Sequence, residues 1–419
     1  MKDLYTPAQW SLIDLANNYG LDKKEFDERL DWGRSLLADI KSCKGLMDLS
    51  AKFNALIKNA DEPELFTASL LNVWDICNGN PTGHYIELDT ASSGCQLLSV
   101  ATRCIIGMTN TGAIGDKVPD LYKRIYDWMK QNPAIQSALS RTQVKKATVP
   151  YIYGSAKVPA MVFGDDMKAF TEAYYNTVKR AEIIKNILIG AWNPAATEYH
   201  YVMPDGHNVL IRVICSRAET FYFNGQRFTY QYKEIGTKEV GEHGTKCLAA
   251  RVTHSLDAYV LRETNARCDY NPEALQNALD SINAYLKGES QTSTNLELRH
   301  LAELSEKFGM VSIKGAECVT RGGMHGIDKD YLISLALIIK QSLKRAPCQL
   351  KLIHDGFGAK ANHVNTLKTH YNNVLGSIYK GVWLFKIIES LTGIDYTSQL
   401  DPVDPKIYSQ IINNKYAIN

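Results

Sequence analysis

The chain has 419 residues, 45% apolar and 22% charged, and its 47 basic and 45 acidic side chains leave a net charge of +2. This is the composition of an ordinary soluble globular protein, long enough for two or three subdomains around a substantial core. The near-neutral balance excludes the broadly basic surface of a stand-alone nucleic-acid binder, so any phosphate-binding charge must be concentrated in a channel or supplied by a partner.

The nine cysteines (43, 77, 95, 104, 215, 247, 268, 318, 348) include no CxxC pair. That speaks against a structural zinc site and a disulfide framework, and for reduced thiols in a cytoplasmic compartment. The opening MKDLYTPAQW has no signal-peptide apolar core, and no apolar run approaches the ~20 residues of a membrane span.

In chain order, 7–78 reads as consecutive helices. Trp10, Ile13, Leu15, Ala16 and Tyr19 form a helical stripe that stops at Gly20. The stretch 24–40 is a second amphipathic helix, and Pro63 starts a third carrying Leu65, Phe66, Leu70, Leu71 and Trp74. Asn78-Gly79-Asn80-Pro81 then breaks the pattern before a strand over 84–88. Helices are expected over 96–106, 119–129, 143–170 and 172–192. From 199 the character changes to a local β module: 199–203 and 209–215 flank Pro204-Asp205-Gly206-His207, and 220–223 and 227–232 flank Asn224-Gly225, a strong hairpin signal. Helix returns at 254–263 and dominates 264–350, interrupted by the polar tract 287–294. A strand over 349–353 and a helix over 362–378 follow.

Three separated stretches carry residues of nucleotidyl transfer. In Leu88-Asp89-Thr90-Ala91-Ser92-Ser93-Gly94 and Leu352-Ile353-His354-Asp355-Gly356-Phe357-Gly358, an aspartate ends an apolar run, as a metal-binding carboxylate at the end of a buried strand does. Two Mg²⁺ ions roughly 3.5–4 Å apart serve phosphoryl transfer to a 3′-hydroxyl. They take oxygen ligands, which Asp89, Asp355 and the Thr90 carbonyl can supply. Taken singly, either aspartate could equally cap the helix that follows it. Between them, Arg141, Lys145 and Tyr153-Gly154 stand at spacings of four and eight, one helical face. Arg141 and Lys145 can clamp a triphosphate, Lys145 can protonate departing pyrophosphate, and Tyr153 can close over the incoming sugar. An ordinary basic helix with Tyr153 in the core has the same pattern. His254, in Thr253-His254-Ser255-Leu256-Asp257, means little by itself.

Together these segments resemble the single-subunit DNA-dependent RNA polymerases of phages and mitochondria. The resemblance implies a mostly helical α+β fold of polymerase palm and fingers, with Asp89 and Asp355 as metal ligands. It also implies R-x3-K-x7-YG at Arg141, Lys145, Tyr153 and Gly154, and HS-x-D-x3-L-R at His254, Ser255, Asp257, Leu261 and Arg262. His254 would read the ribose 2′-hydroxyl, with Tyr122 as partner of the sugar-selecting Tyr153. Tyr416-Ala417-Ile418-Asn419 resembles the family's C-terminal tail near the catalytic centre, and 201–206 with the Asn224-Gly225 hairpin its promoter-reading loop. Family A DNA polymerases carry a glutamate five residues beyond the first metal aspartate; Gly94 stands there and leaves room for ribose, which favours RNA synthesis.

Ala16-Asn17, Gly20-Leu21-Asp22-Lys23 and Glu28-Arg29 resemble a point midway through the family's palm. The expectation is therefore the carboxyl-terminal half of a split enzyme, lacking an amino-terminal domain and thumb. This resembles the larger catalytic subunit of the heterodimeric middle-gene RNA polymerase of N-four-like phages (Schitoviridae). The implied partners are a separately encoded amino-terminal subunit, DNA template, RNA product, NTPs and a template-loading activator protein, with no membrane, in the cytoplasm of an infected host. The implied divisions are palm at 1–113, fingers at 114–198, the β module at 199–236, a palm helix at 237–263, an atypical insertion at 264–340 and palm with tail at 341–419. Two departures stand out: Val149-Pro150 replaces the family's Met-Thr and should kink the fingers helix, and Leu12 replaces a palm lysine. The rival readings are a family A-like DNA polymerase or primase, and a catalytically silent DNA-binding scaffold.

Overall fold

A computed structural model describes residues 3–133, 135, 139–236, 247–319 and 323–419. The fold is mostly helical with three small antiparallel sheets. Four helices open it: α1 (Pro7–Ala16), α2 (Phe26–Ser42), α3 (Leu46–Asn59) and α4 (Pro63–Cys77). The sequence reading missed α3, whose only buried side chains are Leu49 and Phe53. A stripe that sparse gives weak periodicity.

Strand β1 (Tyr85–Leu88) leads into α5 (Ser93–Ala101) and α6 (Ile105–Asn110). The single helix expected over 96–106 is thus two, divided where Arg103 takes a left-handed φ of 56°. Then come α7 (Leu121–Lys130), α8 (Arg141–Ile152), α9 (Lys157–Phe163), α10 (Met167–Thr177) and α11 (Lys179–Gly190). The helix expected over 143–170 is also broken. Pro150 leaves the last turn of α8 without one amide donor, and Gly154 with φ of 90° lies just beyond the C-cap Tyr153. The chain stops here rather than kinking and continuing.

The β module holds β2 (Glu198–Val202) paired with β3 (Asn208–Arg212), and β4 (Ile214–Phe223) paired with β5 (Gln226–Ile235). The second hairpin is longer than expected and turns at Asn224 and Gly225, whose φ of 49° and 78° suit that dipeptide. Residues 237–246, the start of the segment assigned to a palm helix, lie outside the described residues. Helix α12 (Cys247–Cys268) extends beyond the expected 254–263 at both ends. Helices α13 (Pro272–Leu286), α14 (Leu296–Phe308), α15 (Gly315–Val319) and α16 (Lys329–Leu343) make up most of the 264–340 segment, of which 320–322 lie outside the described residues. The chain closes with β6 (Lys351–Ile353), β7 (Gly356–Lys360), α17 (Val364–Lys380), α18 (Trp383–Thr392) and α19 (Pro405–Ile412).

The main sheet, of strand order β1-β7-β6, rests on α17 through β7, with α5 packed against α17 in turn. All nine residues of α5 are buried, and α17 is buried on nearly every side and packs against α5, α12, α19 and β7. The buried side chains of α17 include Asn365, Thr366, Lys368, His370 and Asn372, so its burial depends on internal partners for polar groups as well as on apolar packing. Trp10 of α1 donates its indole N–H to Asn365 at the start of α17 (3.1 Å). In the same helix, Asp14 pairs with His84 just before β1 (2.9 Å). Helix α1 therefore ties the start of α17 to the segment that enters β1. No described helix is long and apolar enough to cross a membrane.

Candidate active site

Strand pairing brings the two aspartates together. Leu88 lies opposite Phe357 in β1–β7, and Ile353 opposite Gly356 in β6–β7. Asp89 follows the last paired residue of β1, and His354-Asp355 forms the tight turn of the β6–β7 hairpin, so both carboxylates reach the same end of the sheet. His354 adopts φ of 55° to make that turn, a conformation a non-glycine residue reaches only under constraint. One expectation is corrected. Asp355 does not end a buried strand, because β6 is the sheet edge and Ile353 is 50% exposed.

Partial burial and then the nearby Asp355 push the Asp89 carboxyl up to about 6, against the Thr90 amide, Lys23 and Lys145. The Thr90 N–H donates to Asp89 Oδ1 (2.7 Å), while Thr90 Oγ1 is buried without a partner. A carboxyl whose proton affinity is raised by a neighbouring carboxylate suits a divalent cation, which removes the repulsion. Among the described residues no group of three or more His, Cys, Asp or Glu makes a closed metal cage. The donor set is the open one of two carboxylates and backbone oxygen that Mg²⁺ accepts.

Helix α8 supplies the cations. Ser140 caps it by accepting from the Gln143 amide (3.2 Å), which places Arg141 at its first position. Arg141 is engaged in a two-pronged ion pair with Asp120, the N-cap of α7 (2.8 and 3.0 Å). Its guanidinium and the Lys145 ammonium lie 5.7 and 5.9 Å from the ring centre of Tyr122. Tyr122 is nearly buried, and burial first, then Cys95, pushes its phenol up to about 12. Tyr122 thus serves as the floor on which both cations rest.

At the other end of α8 the Tyr153 ring lies 4.6 Å from the imidazole of His254, tilted by 47°. Burial and then Asp257 raise the Tyr153 phenol well above its ordinary value, against a hydrogen bond from Ser93. Gly94 lies directly beneath. A Cβ there would stand 3.0 Å from Ile152, 3.1 Å from Thr253 and 3.4 Å from the Tyr153 hydroxyl. The space a side chain would fill is thus occupied by the end of α8 and by α12, and Gly94 acts by letting Tyr153 approach. Gly154 frees the chain to turn away just after Tyr153.

Sequence reasoning assigned no role to Asp257 or Ser93. Asp257 sits one helical turn from His254, and its Oδ1 is buried without a hydrogen-bond partner among the described residues. Burial pushes its carboxyl up to about 7, with Ser93 opposing and Asp355 adding to the rise. It shares with Thr90, Ser93, His354, Asp355 and Tyr371 a recess of about 10 Å³, room for one water at most. The i, i+3 spacing from His254 was the available signal.

The tail forms a further wall. The Asn419 N–H donates to the Asp89 carbonyl (2.9 Å) and the Asp89 N–H to the Asn419 carbonyl (3.3 Å), as in a strand pair. Gln96 of α5 donates to the Ala417 carbonyl (2.9 Å) and the buried Lys368 of α17 to that of Ile418. Buried Arg29 donates to Asn17 (2.8 Å), to the carbonyls of Lys24 (2.8 Å) and Asp22 (2.7 Å), and to the Asn419 side chain (3.1 Å). The opening segment and the tail are one assembly behind Asp89. In comparisons with known proteins, no family model and no curated protein matches this chain.

Proposed function

We propose that the chain is the catalytic subunit of a DNA-dependent RNA polymerase of the single-subunit type, working with a separately encoded amino-terminal subunit. The observation that carries the reading is the convergence of Asp89 and Asp355 at one sheet end, with Lys145 within electrostatic reach of Asp89 and Tyr153 against His254. Two Mg²⁺ ions held by Asp89, Asp355 and the Thr90 carbonyl would neutralise charge on the attacking and leaving oxygens.

The remaining chemistry falls to the chain's own residues. A 3′-hydroxyl oxygen, giving up its proton to bulk water, attacks the α-phosphorus of an NTP in line, and the bond to the bridging oxygen breaks to release pyrophosphate. Lys145 hands a proton to that leaving group, and Arg141, once it leaves Asp120, holds the triphosphate. Tyr153 closes on the sugar, set in place by Gly94, while Tyr122 underlies the two cations. His254 partners the 2′-hydroxyl, and a site built to bond a hydroxyl rejects a substrate lacking it.

The test is ribonucleotide incorporation on a primed single-stranded DNA template with Mg²⁺, with and without the amino-terminal subunit. Synthesis abolished by Asp355→Ala supports the reading. Absence of synthesis in every combination, with DNA binding intact, would move the chain to a silent scaffold.

A further inference from the structure

The segment carrying α13 to α16 leaves the chain at the end of α12 and rejoins it just before β6, and a cysteine stands at each of these points. Cys268 is the last residue of α12, and Cys348 lies in the coil of 346–350 between α16 and β6. The Cys348 N–H donates to the Cys268 carbonyl (2.8 Å). Residues joined by such bonds in an antiparallel pair have Cα atoms about 5.5 Å apart, inside the ~4.4–6.8 Å that a disulfide spans. Tyr270 holds the two stretches together beside this point, its hydroxyl donating to the carbonyls of Ser342 (2.9 Å) and Arg345 (2.5 Å).

The two thiols face each other. The Cys268 S–H donates to the Cys348 sulfur, which raises the Cys268 thiol well above its ordinary value and lowers that of Cys348, against burial. The thiolate is the nucleophile in thiol chemistry, so the pair divides into an attacking Cys348 and a resolving Cys268. Access divides them the same way: Cys348 stands between the exposed Ala346 and Gln349, whereas Cys268 is fully buried. Other thiols of the chain have different company. Cys43 and Cys318 donate to the carbonyls of Asp39 (3.3 Å) and Lys314 (3.9 Å), and Cys95 meets the Tyr174 hydroxyl (3.3 Å).

We propose that Cys268 and Cys348 form a reversible dithiol–disulfide site, oxidised by a low-molecular-weight disulfide of the glutathione class. The Cys348 thiolate attacks one sulfur of that disulfide, whose S–S bond breaks to release one thiolate. The Cys268 sulfur then attacks Cys348 Sγ in the mixed disulfide and expels the second. The protons of the two cysteines end on the two departing thiolates, so the protein loses two electrons and two protons and the small disulfide gains them. The new bond closes a loop of about 80 residues holding α13 to α16, anchored between the helix of His254 and the strand that leads to Asp355. The site does not depend on the polymerase reading, and its test measures no synthesis.

The native full chain is equilibrated in buffers of fixed oxidised-to-reduced glutathione ratio, quenched in acid, alkylated, digested with trypsin without reduction and read by mass spectrometry. Peptides 268–287 and 346–351 should appear joined, in a fraction that rises with the ratio and falls again on adding reduced glutathione. Cys268→Ala should stop at a mixed disulfide of glutathione with Cys348, and Cys348→Ala should leave Cys268 unmodified. Closing a loop of about 80 residues should raise Tm by roughly 5 °C in scanning calorimetry, a rise that both alanine variants should lack. The proposal falls if the two peptides stay separate at every ratio, or join only when the chain is unfolded in urea. It falls equally if either pairs with another cysteine instead, or if the linked chain melts no higher than the reduced one.

Discussion

Ile418→Ala tests whether the tail holds Asp89 in place. Ile418 is fully buried, and its neighbours Tyr416 and Ala417 are almost so. Truncating a buried isoleucine to alanine costs about 2–5 kcal/mol, and the middle of that range suits a site with no exposure to relax into. Unfolding entropy of ~2.1 cal/mol/K per residue gives about 0.9 kcal/mol/K for this chain, so a ~3 kcal/mol loss should lower Tm by roughly 3–4 °C. The functional loss should be larger than the stability loss. Asn419, the next residue, carries the backbone exchange with Asp89, and the Ile418 carbonyl itself accepts from Lys368; a misplacement of ~1 Å at a catalytic group can cost about a hundredfold in rate. Scanning calorimetry and primed incorporation would be run on the variant and on Val403→Ala, a partly exposed site outside the tail. Unchanged Tm and wild-type synthesis in Ile418→Ala would refute the reasoning.

Two further outcomes follow from the geometry. His370 of α17 is buried with neither ring nitrogen hydrogen-bonded among the described residues, and burial, with Arg267 and Arg345 nearby, pushes it down to about 3. Between its ordinary value near 6.5 and that lower value the unfolded chain binds a proton the native chain refuses. The stability it contributes is therefore complete above pH 6.5 and lost on acidification, by up to about 1.4 kcal/mol per pH unit. His370→Leu should flatten this acid limb, and identical melting profiles against pH would contradict it. Asp120→Asn should release Arg141. A half-exposed ion pair is worth about 0.2–1 kcal/mol, so KM for NTP should fall by up to about fivefold in steady-state kinetics; an unchanged or higher KM would show that Asp120 does not compete with the triphosphate.

Much of the local organisation was legible in the sequence because short-range chemistry dictates it. The Asn224-Gly225 turn, the Pro63 helix start and the break at Asn78–Pro81 each follow from backbone preferences of a few residues. Lys145 and Tyr153 were visible as residue types at a fixed spacing and Asp89 and Asp355 as carboxylates ending apolar runs, whereas His254 entered only through the family resemblance. What the spacings could not reveal is who meets whom. Only the antiparallel register of β1 with β7 sets Asp89 beside Asp355, and only packing turns Gly94 from an opening into the seat of Tyr153. Arg141 looked like a free cation until the fold delivered Asp120 to it, and Asp257, present in the motif without a role, acquired one only when the fold set it in the same recess as Asp355. Pro150 and Gly154 were readable, yet whether the helix would kink or stop depended on neighbours holding the next segment elsewhere. Secondary structure follows from interactions within a few residues, which any one stretch contains. Charge pairing, burial and close approach depend on distances between residues hundreds of positions apart, and those exist only once the chain has folded.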